Sequence, residues 1–259
     1  MTSLSKFLLN KKVSVVTGGY GHLGVKISEA LMDAGSVVVV AGKDEDKFNK
    51  VFGKTEGIYF VKTDISSTNS IKKSFKKIKK DFNKIDILVN NAFYSKGASA
   101  EKISDNDWNY SVDGTLNSVF RCIREVMPYM KRAKTGNIIN ISSMYGVVSP
   151  DFGVYKNAPH FINAPQYGAS KAGVIQLTRY YAVYLAKFGI RVNCVSFGPF
   201  PSDGVQKDKA FVEKLAQKTP LGRIGDAEEI KCPIIFLASP ASSYVTGHNL
   251  IVDGGWTIW

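Results

Sequence analysis

The chain lacks several features, and each absence removes a class of protein. No apolar run approaches the roughly 20 residues that a membrane-spanning helix needs, so no bilayer span is expected. Cysteine is scarce: Cys122, Cys194 and Cys232 are odd in number, widely spaced and without the paired spacing of a metal site. That excludes a disulfide scaffold, gives no reason to expect a metal, and fits free thiols in a reducing cytoplasm. Residues 1–12 hold only the short apolar patch Phe7-Leu8-Leu9, with no cleavage-site pattern, so the expected location is cytoplasmic. Internal repeats, low-complexity tracts and linker-like stretches are also missing. One domain covering residues 1–259 follows from that and from the length.

Acidic residues are in deficit. Lys and Arg total 34 against 22 Asp and Glu, a net charge of +12 that comes mostly from lysine. Between residues 71 and 82, Ile71, Phe75, Ile78 and Phe82 recur at helical spacing, while Lys72, Lys73, Lys76, Lys77, Lys79 and Lys80 cover the rest. This is an amphipathic helix with a solvated basic side. No arginine-aromatic interleaving accompanies it, so the charge is read as solubility or a weak pull on anionic ligands, with no nucleic-acid partner.

What is present is alternation. Apolar, β-branched runs at Val13–Thr17, Val37–Ala41, Ile58–Thr63, Ile85–Asn90, Gly136–Ile141, Arg191–Ser196 and Asn249–Val252 read as strands. Helix-period segments lie between them near 22–34, 44–53, 68–82, 105–131, 166–188 and 226–238. Such a succession predicts an α/β fold, a doubly wound parallel sheet with helices on both faces. Two stretches, 148–166 and 197–209, follow strands without regular periodicity and are expected to border the ligand side of the sheet. Trp256 and Trp259, near the end of the sequence, are expected to be buried.

The first strand runs into Gly18-Gly19-Tyr20-Gly21-His22-Leu23-Gly24 and then a helix. Glycines there let backbone turn tightly against a pyrophosphate, whose charge the helix N-terminus stabilises. Cofactor discrimination is expected at the end of the second strand, at Gly42-Lys43-Asp44. Gly42 offers no carboxylate for ribose hydroxyls and Lys43 can pair with a 2′-phosphate, which favours NADP(H). Asp44 can swing back or neutralise Lys43, so NAD(H) stays open.

Tyr167-Gly-Ala-Ser-Lys171 places a phenol and an ammonium one helical turn apart. No other tyrosine in the chain has a lysine four residues on. A fixed positive charge favours the phenolate and moves the hydroxyl toward acid-base work near neutral pH.

With Asp64-Ile65, Asn90-Asn91-Ala92, Ile141-Ser142-Ser143, Arg191-Val192-Asn193, Pro220-Leu221-Gly222-Arg223, Thr246-Gly247 and Val252-Asp253-Gly254-Gly255, these motifs resemble the short-chain dehydrogenase/reductase family from about Lys11 to Trp259. The resemblance implies a Rossmann sheet of seven parallel strands in the order 3-2-1-4-5-6-7. It implies hydride transfer between nicotinamide and a carbonyl or secondary alcohol. Tyr167 would exchange the proton, Lys171 would depress the tyrosine pKa and bond the nicotinamide ribose, and Ser143 would polarise the substrate oxygen; Ser142 should point the other way. Asp64 and Ile65 would meet adenine, Asn91 and Ala92 the cofactor, and Gly198, Phe200 and Ser202 the carboxamide. A homotetramer or homodimer with 105–131 and 166–188 at an interface is also implied.

Several positions depart from the family pattern. His22 replaces a second motif glycine and either contacts a phosphate or caps the turn. Phe93 replaces a glycine and Phe197 a proline. Thr115 stands where a catalytic asparagine is usual; its hydroxyl can bond the preceding helical turn, which would alter the proton relay. Ser143 and Tyr167 are 24 residues apart, long for the family, and the extra segment with its aromatics, His160 and Tyr94-Ser95-Lys96 is read either as an amphipathic wall for a sugar or polyol, or as a surface loop or oligomer contact. The Gly-His-Leu-Gly turn, that insertion and the final Gly-Gly-Trp-Thr-Ile-Trp are similar to oxidoreductases of bacterial surface-sugar and flagellin-modification pathways. The alternatives are a 3-oxoacyl-thioester or gluconate-type reductase, and a catalytically impaired cofactor-binding regulatory protein.

Overall fold

In a computed structural model that describes residues 2–53 and 55–259, seven strands form one all-parallel sheet. They are β1 (Val13–Thr17), β2 (Val37–Gly42), β3 (Ile58–Lys62), β4 (Ile87–Asn90), β5 (Gly136–Ser143), β6 (Ile190–Phe197) and β7 (Asn249–Val252). Their order, β3-β2-β1-β4-β5-β6-β7, is the expected one, and the strand ends differ from the sequence reading by a residue or two.

Alternate residues of each strand feed opposite cores, which is why these strands read as unbroken apolar runs. On one face Val15, Val39, Leu88, Ile138 and Val192 pack with Ile71, Phe75 and Ile78 of α3 (Thr68–Phe82), Ile123 and Val126 of α5 (Ser118–Ala133), and Val174 and Leu185 of α6 (Pro165–Ala186). On the other, Val16, Val40, Val89, Ile139 and Val195 meet Ile27 and Leu31 of α1 (His22–Asp33), Phe48 of α2 (Glu45–Phe52), and Ile234 and Leu237 of α9 (Lys231–Ala238).

Three differences from the sequence reading have physical causes. The segment expected as one helix over 105–131 is broken: α4 (Asp105–Val112) passes through a π-turn at Asp113–Asn117 before α5 begins. At that turn Asp113 accepts from the Tyr94 hydroxyl, Arg121 and Asn117, a cluster that periodicity does not reveal. Those three donors outweigh burial, which alone would raise it, and hold the Asp113 carboxyl at about 2. The stretch after β6 contains α7 (Asp203–Gln206), and α8 (Lys209–Lys218) follows; the sequence reading missed both. Asp208 caps α8 by accepting from the Phe211 amide at 3.0 Å, and Phe211 and Leu215, four apart, bury one face. Trp256 is buried as expected, but Trp259 is 70% exposed, its indole donating to the Lys218 carbonyl.

A buried polar ladder crosses from the sheet to α6. Asn90 Nδ2 donates to Asn140 Oδ1 at 2.8 Å, Asn140 Nδ2 donates to Thr178 Oγ1 at 2.9 Å, and Thr178 donates to the Val174 carbonyl. Cutting the middle of this ladder strands buried polar atoms on both sides. Asn140→Ala is expected to lower stability by about 2–4 kcal/mol, read as a shifted urea midpoint with an unchanged slope.

Candidate active site

At the carboxyl ends of the strands, where chain order reverses between β1 and β4, a groove of about 640 Å³ opens. Its floor begins at the glycine turn. Gly18 takes φ +62°, its amide donates to the Ala41 carbonyl, and its own carbonyl accepts from the Gly21 amide at 3.0 Å. A Cβ at Gly24 would stand 2.2 Å from the Gly18 carbonyl oxygen, so only glycine lets α1 start this close to β1. Asn91 braces the turn: its side-chain amide donates to the Thr17 and Gly18 carbonyls, both at 3.1 Å. Gly18, Tyr20, Gly21, His22, Leu23 and Gly24 all line the groove, with Asn91 and Ala92 beside Gly18. His22 Nε2 lies 2.9 Å from the Phe200 carbonyl, linking the turn to the loop after β6. In this structure His22 neither caps its own helix nor faces solvent alone; it latches two walls together.

At the far end, the residues expected to sort adenosines are already engaged. Lys43 pairs with Asp64 at 3.0 Å, and Asp44 caps α2 by accepting from the Lys47 amide at 2.8 Å. The Asp64 carboxyl, pushed up by burial, is held below its usual range by the Ser66 hydroxyl and amide and by Lys43. Gly42, Lys43 and Ile65 line the groove; Asp64 turns into its ion pair instead.

At the near end, Ser143, Tyr167 and Lys171 come together on the wall formed by β5 and α6. Two crossed hydrogen bonds set that wall: Lys171 Nζ donates to the Ile141 carbonyl at 2.8 Å, and the Ser142 hydroxyl donates to the Lys171 carbonyl at 2.9 Å. Ser142 is thereby spent on structure, as strand alternation requires, and Ser143 faces the groove, its oxygen accepting from the Tyr145 amide at 3.2 Å. Lys171 Nζ lies 5.6 Å from the centre of the Tyr167 ring.

Burial raises the Tyr167 pKa above that of a free phenol, and the opposing pull comes from Ser143 rather than from Lys171. Burial also lowers Lys171 to about 8, because its ammonium has no carboxylate partner in the wall. Beneath it, Cys194 is raised by burial to about 12, which leaves that thiol without nucleophilic character.

Thr115 and Ser202 stand apart from the other expected residues. Thr115 sits inside the π-turn, buried, with a hydroxyl that finds no partner; it does not bond the preceding helical turn, and it does not line the groove. Ser202 lies at the N-cap of α7, outside the groove lining. The sequence reading treated Phe93 only as a replaced glycine. Its ring lies 6.0 Å from that of Tyr167 and 5.3 Å from Lys171 Nζ, so it forms part of the same wall. The signal available was its place directly after Asn90-Asn91-Ala92.

A seven-stranded 3-2-1-4-5-6-7 sheet, with a glycine turn and a Ser-Tyr-Lys wall at opposite ends of one groove, defines a dinucleotide-type oxidoreductase fold. The chain belongs to the short-chain dehydrogenase/reductase family. A family model described as enoyl-(acyl carrier protein) reductase matches residues 21–257. The chain is 33% identical over 256 residues to 3-oxoacyl-(acyl-carrier-protein) reductase FabG of Chlamydia pneumoniae, covering 96% of this chain and 98% of that protein. Among solved structures it is similar to a gluconate 5-dehydrogenase from Burkholderia cenocepacia in complex with NADP and tartrate, with TM-score 0.89, 27% identity and 99% of each chain covered. It is also similar to a short-chain dehydrogenase from Leptospira borgpetersenii with bound NAD+, with TM-score 0.88, 31% identity, and 100% of this chain and 97% of that one covered.

The buried lysine has a thermodynamic signature. Its folded pKa of about 8 lies below the ordinary 10.5, so between those values the unfolded chain holds a proton that the folded chain has released. Stability from this group therefore rises as pH goes from about 8 to 10.5 and is lowest below 8. Lys171→Met removes the buried charge and one hydrogen bond. It is expected to be more stable at pH 7 by about 1–2 kcal/mol and to lack the wild-type gain between pH 8 and 10.5, as measured by denaturant titration at the two pH values.

Proposed function

We propose that this chain is an NAD(P)-dependent oxidoreductase that moves hydride between nicotinamide and a carbonyl or secondary alcohol of a sugar, sugar derivative or polyol. The observation that carries this reading is that Ser143, Tyr167 and Lys171 line the same groove as the turn from Gly18 to Gly24. The residues present fit a dinucleotide. The Gly18–Gly24 contact closes the turn to side chains, so main chain is what would face a pyrophosphate, and Ser143, Tyr167 and Lys171 line the same groove. NADP(H) is favoured and NAD(H) admitted, in keeping with the Burkholderia and Leptospira neighbours.

The cofactor supplies or accepts the hydride when bound. Tyr167, whose phenol pKa is raised by burial, gives its proton from Oη to the substrate oxygen in the reductive direction and takes it back in the oxidative one. Ser143 donates a hydrogen bond to the same oxygen and polarises it. Lys171 places positive charge beside the phenol as the proton leaves. The buried, unpartnered hydroxyls of Thr115 and, on α6, Ser170 are polar atoms suited to holding water that refills the Tyr167 proton. Gly198 and Phe200 line the groove beyond Tyr167 and Lys171 and would hold the carboxamide.

The 148–166 insertion lines a separate pocket of about 740 Å³ together with Tyr145 and Gly168. Tyr155 packs on Phe211 of α8, and its hydroxyl meets that of Tyr145 in a cluster that also touches Tyr167. Those two phenols are buried and satisfy each other, so the cluster packs behind Tyr167. The FabG relative supports a second reading, a 3-oxoacyl-thioester reductase. A cofactor-binding regulatory protein without turnover is disfavoured by the assembled Ser143, Tyr167 and Lys171.

Among the described residues no helix is long and apolar enough to cross a membrane. A cytoplasmic location and a homotetramer or homodimer complete the proposal. The apolar strip of Phe120 on α5 with Tyr180, Val183 and Tyr184 on α6 would be covered by a second copy.

Tyr167→Phe is expected to lower turnover by about 10²–10⁴-fold with cofactor affinity within a few-fold of wild type, as followed by nicotinamide absorbance across sugars, sugar phosphates and β-keto thioesters. Equal turnover in the two proteins would sink the catalytic reading. Thr115→Asn is expected to shift the pH profile of kcat, and an unmoved profile would remove position 115 from the proton relay.

A further inference from the structure

The groove's adenosine end holds a contact that the sequence motif does not explain. The Tyr20 hydroxyl oxygen accepts from the main-chain amides of both Lys43 and Asp44, each at 3.1 Å. The hydroxyl end of the ring lies against Gly42. A Cβ built there would come 2.3 Å from the Tyr20 Cε1 and 2.6 Å from its Oη. A residue with a carboxylate at position 42 is therefore sterically incompatible with Tyr20 in this place. Lys43 and Asp44, the two charged groups nearby, are committed to Asp64 and to the Lys47 amide. Tyr20 thus covers the two main-chain donors that follow β2 with a single neutral oxygen.

Those two donors converge on one point, which is what an anionic oxygen needs. We infer that Tyr20 sets the selectivity between the two dinucleotides, its phenol oxygen occupying the place that an oxygen of an adenosine 2′-phosphate would take between the amides of Lys43 and Asp44. The inference rests on the cofactor reading above and deepens it. A ribose 2′-hydroxyl makes no demand on both amides, so the phenol stays in place beneath it and offers its own proton outward. A 2′-phosphate must turn the phenol aside before it gains the two amides and the neighbouring Lys43 ammonium. Tyr20 accordingly acts against the phosphorylated cofactor and is neutral or favourable toward the other. The NADP(H) preference conferred by Gly42 and Lys43 is held below its full value by this one side chain.

The test uses the full chain and Tyr20→Phe, which keeps the ring against Gly42 and removes only the acceptor, with Tyr20→Ser as a second variant that removes both. Dissociation constants for NADPH and NADH, and for 2′,5′-ADP and 5′-AMP as probes of the adenosine end alone, are measured by calorimetry. In both variants the NADH-to-NADPH ratio of dissociation constants is expected to rise about three- to tenfold, the effect of returning one or two amide donors to a phosphate oxygen. The 5′-AMP-to-2′,5′-ADP ratio should move with it, while the melting temperature without cofactor confirms that each variant is folded. Ratios within twofold of wild type in both folded variants, or a shift toward NADH, overturn the inference and leave the oxidoreductase reading standing. Failure of the wild-type chain to bind either dinucleotide overturns both.

Discussion

Two crossed hydrogen bonds between the end of β5 and α6 organise the site. Lys171 reaches down to the Ile141 carbonyl while Ser142 reaches across to the Lys171 carbonyl, so strand and helix are locked in one register. With that register set, Ser143 is the next residue along the strand and Tyr167 is one turn back along the helix, and both must face the same space. The Asn90–Asn140–Thr178 ladder, two residues further down the strand from Ser142, repeats the same device in the core. Buried polar pairs of this kind specify alignment more sharply than apolar contact, because a slip by one residue would leave each of them unpaired.

The same lock accounts for the electrostatics of the wall. An ammonium that donates to a main-chain carbonyl and stands near two aromatic faces, Phe93 and Tyr167, is desolvated without a counter-charge. Its affinity for a proton falls, and that of the neighbouring phenol for its own proton rises, both for the same reason. The wall thus sets a phenol whose pKa burial raises beside a lysine that burial lowers to about 8, an acid next to the charge that would stabilise its conjugate base.

At the other end of the groove the chain satisfies its own donors. Tyr20 covers two main-chain amides, and Lys43 pairs with Asp64. Tyr20 and Lys43 both line the groove, so a ligand there would exchange these internal contacts for its own. Such exchange makes net affinity small relative to the number of contacts and lets single side chains tilt the choice between similar ligands.

Much of this was readable from residue order alone. Strand-length apolar runs alternating with helical periods determined a parallel sheet, because only strands buried on both faces read that way, and local chemistry marked the turn from Gly18 to Gly24 and the pair Tyr167/Lys171. What residue order could not supply was anything that depends on a partner distant in the chain. The π-turn at Asp113–Asn117 exists beside Tyr94 and Arg121; helix α8 packs on the 148–166 segment through Phe211; and Thr115 lost its expected hydrogen bond inside that turn. The charge of Lys171 is visible in the sequence, whereas the burial that raises Tyr167 is not. Periodicity and spacing are properties of a chain's neighbours in sequence, and desolvation and hydrogen-bond exchange belong to its neighbours in space; only the folded sheet decided the latter.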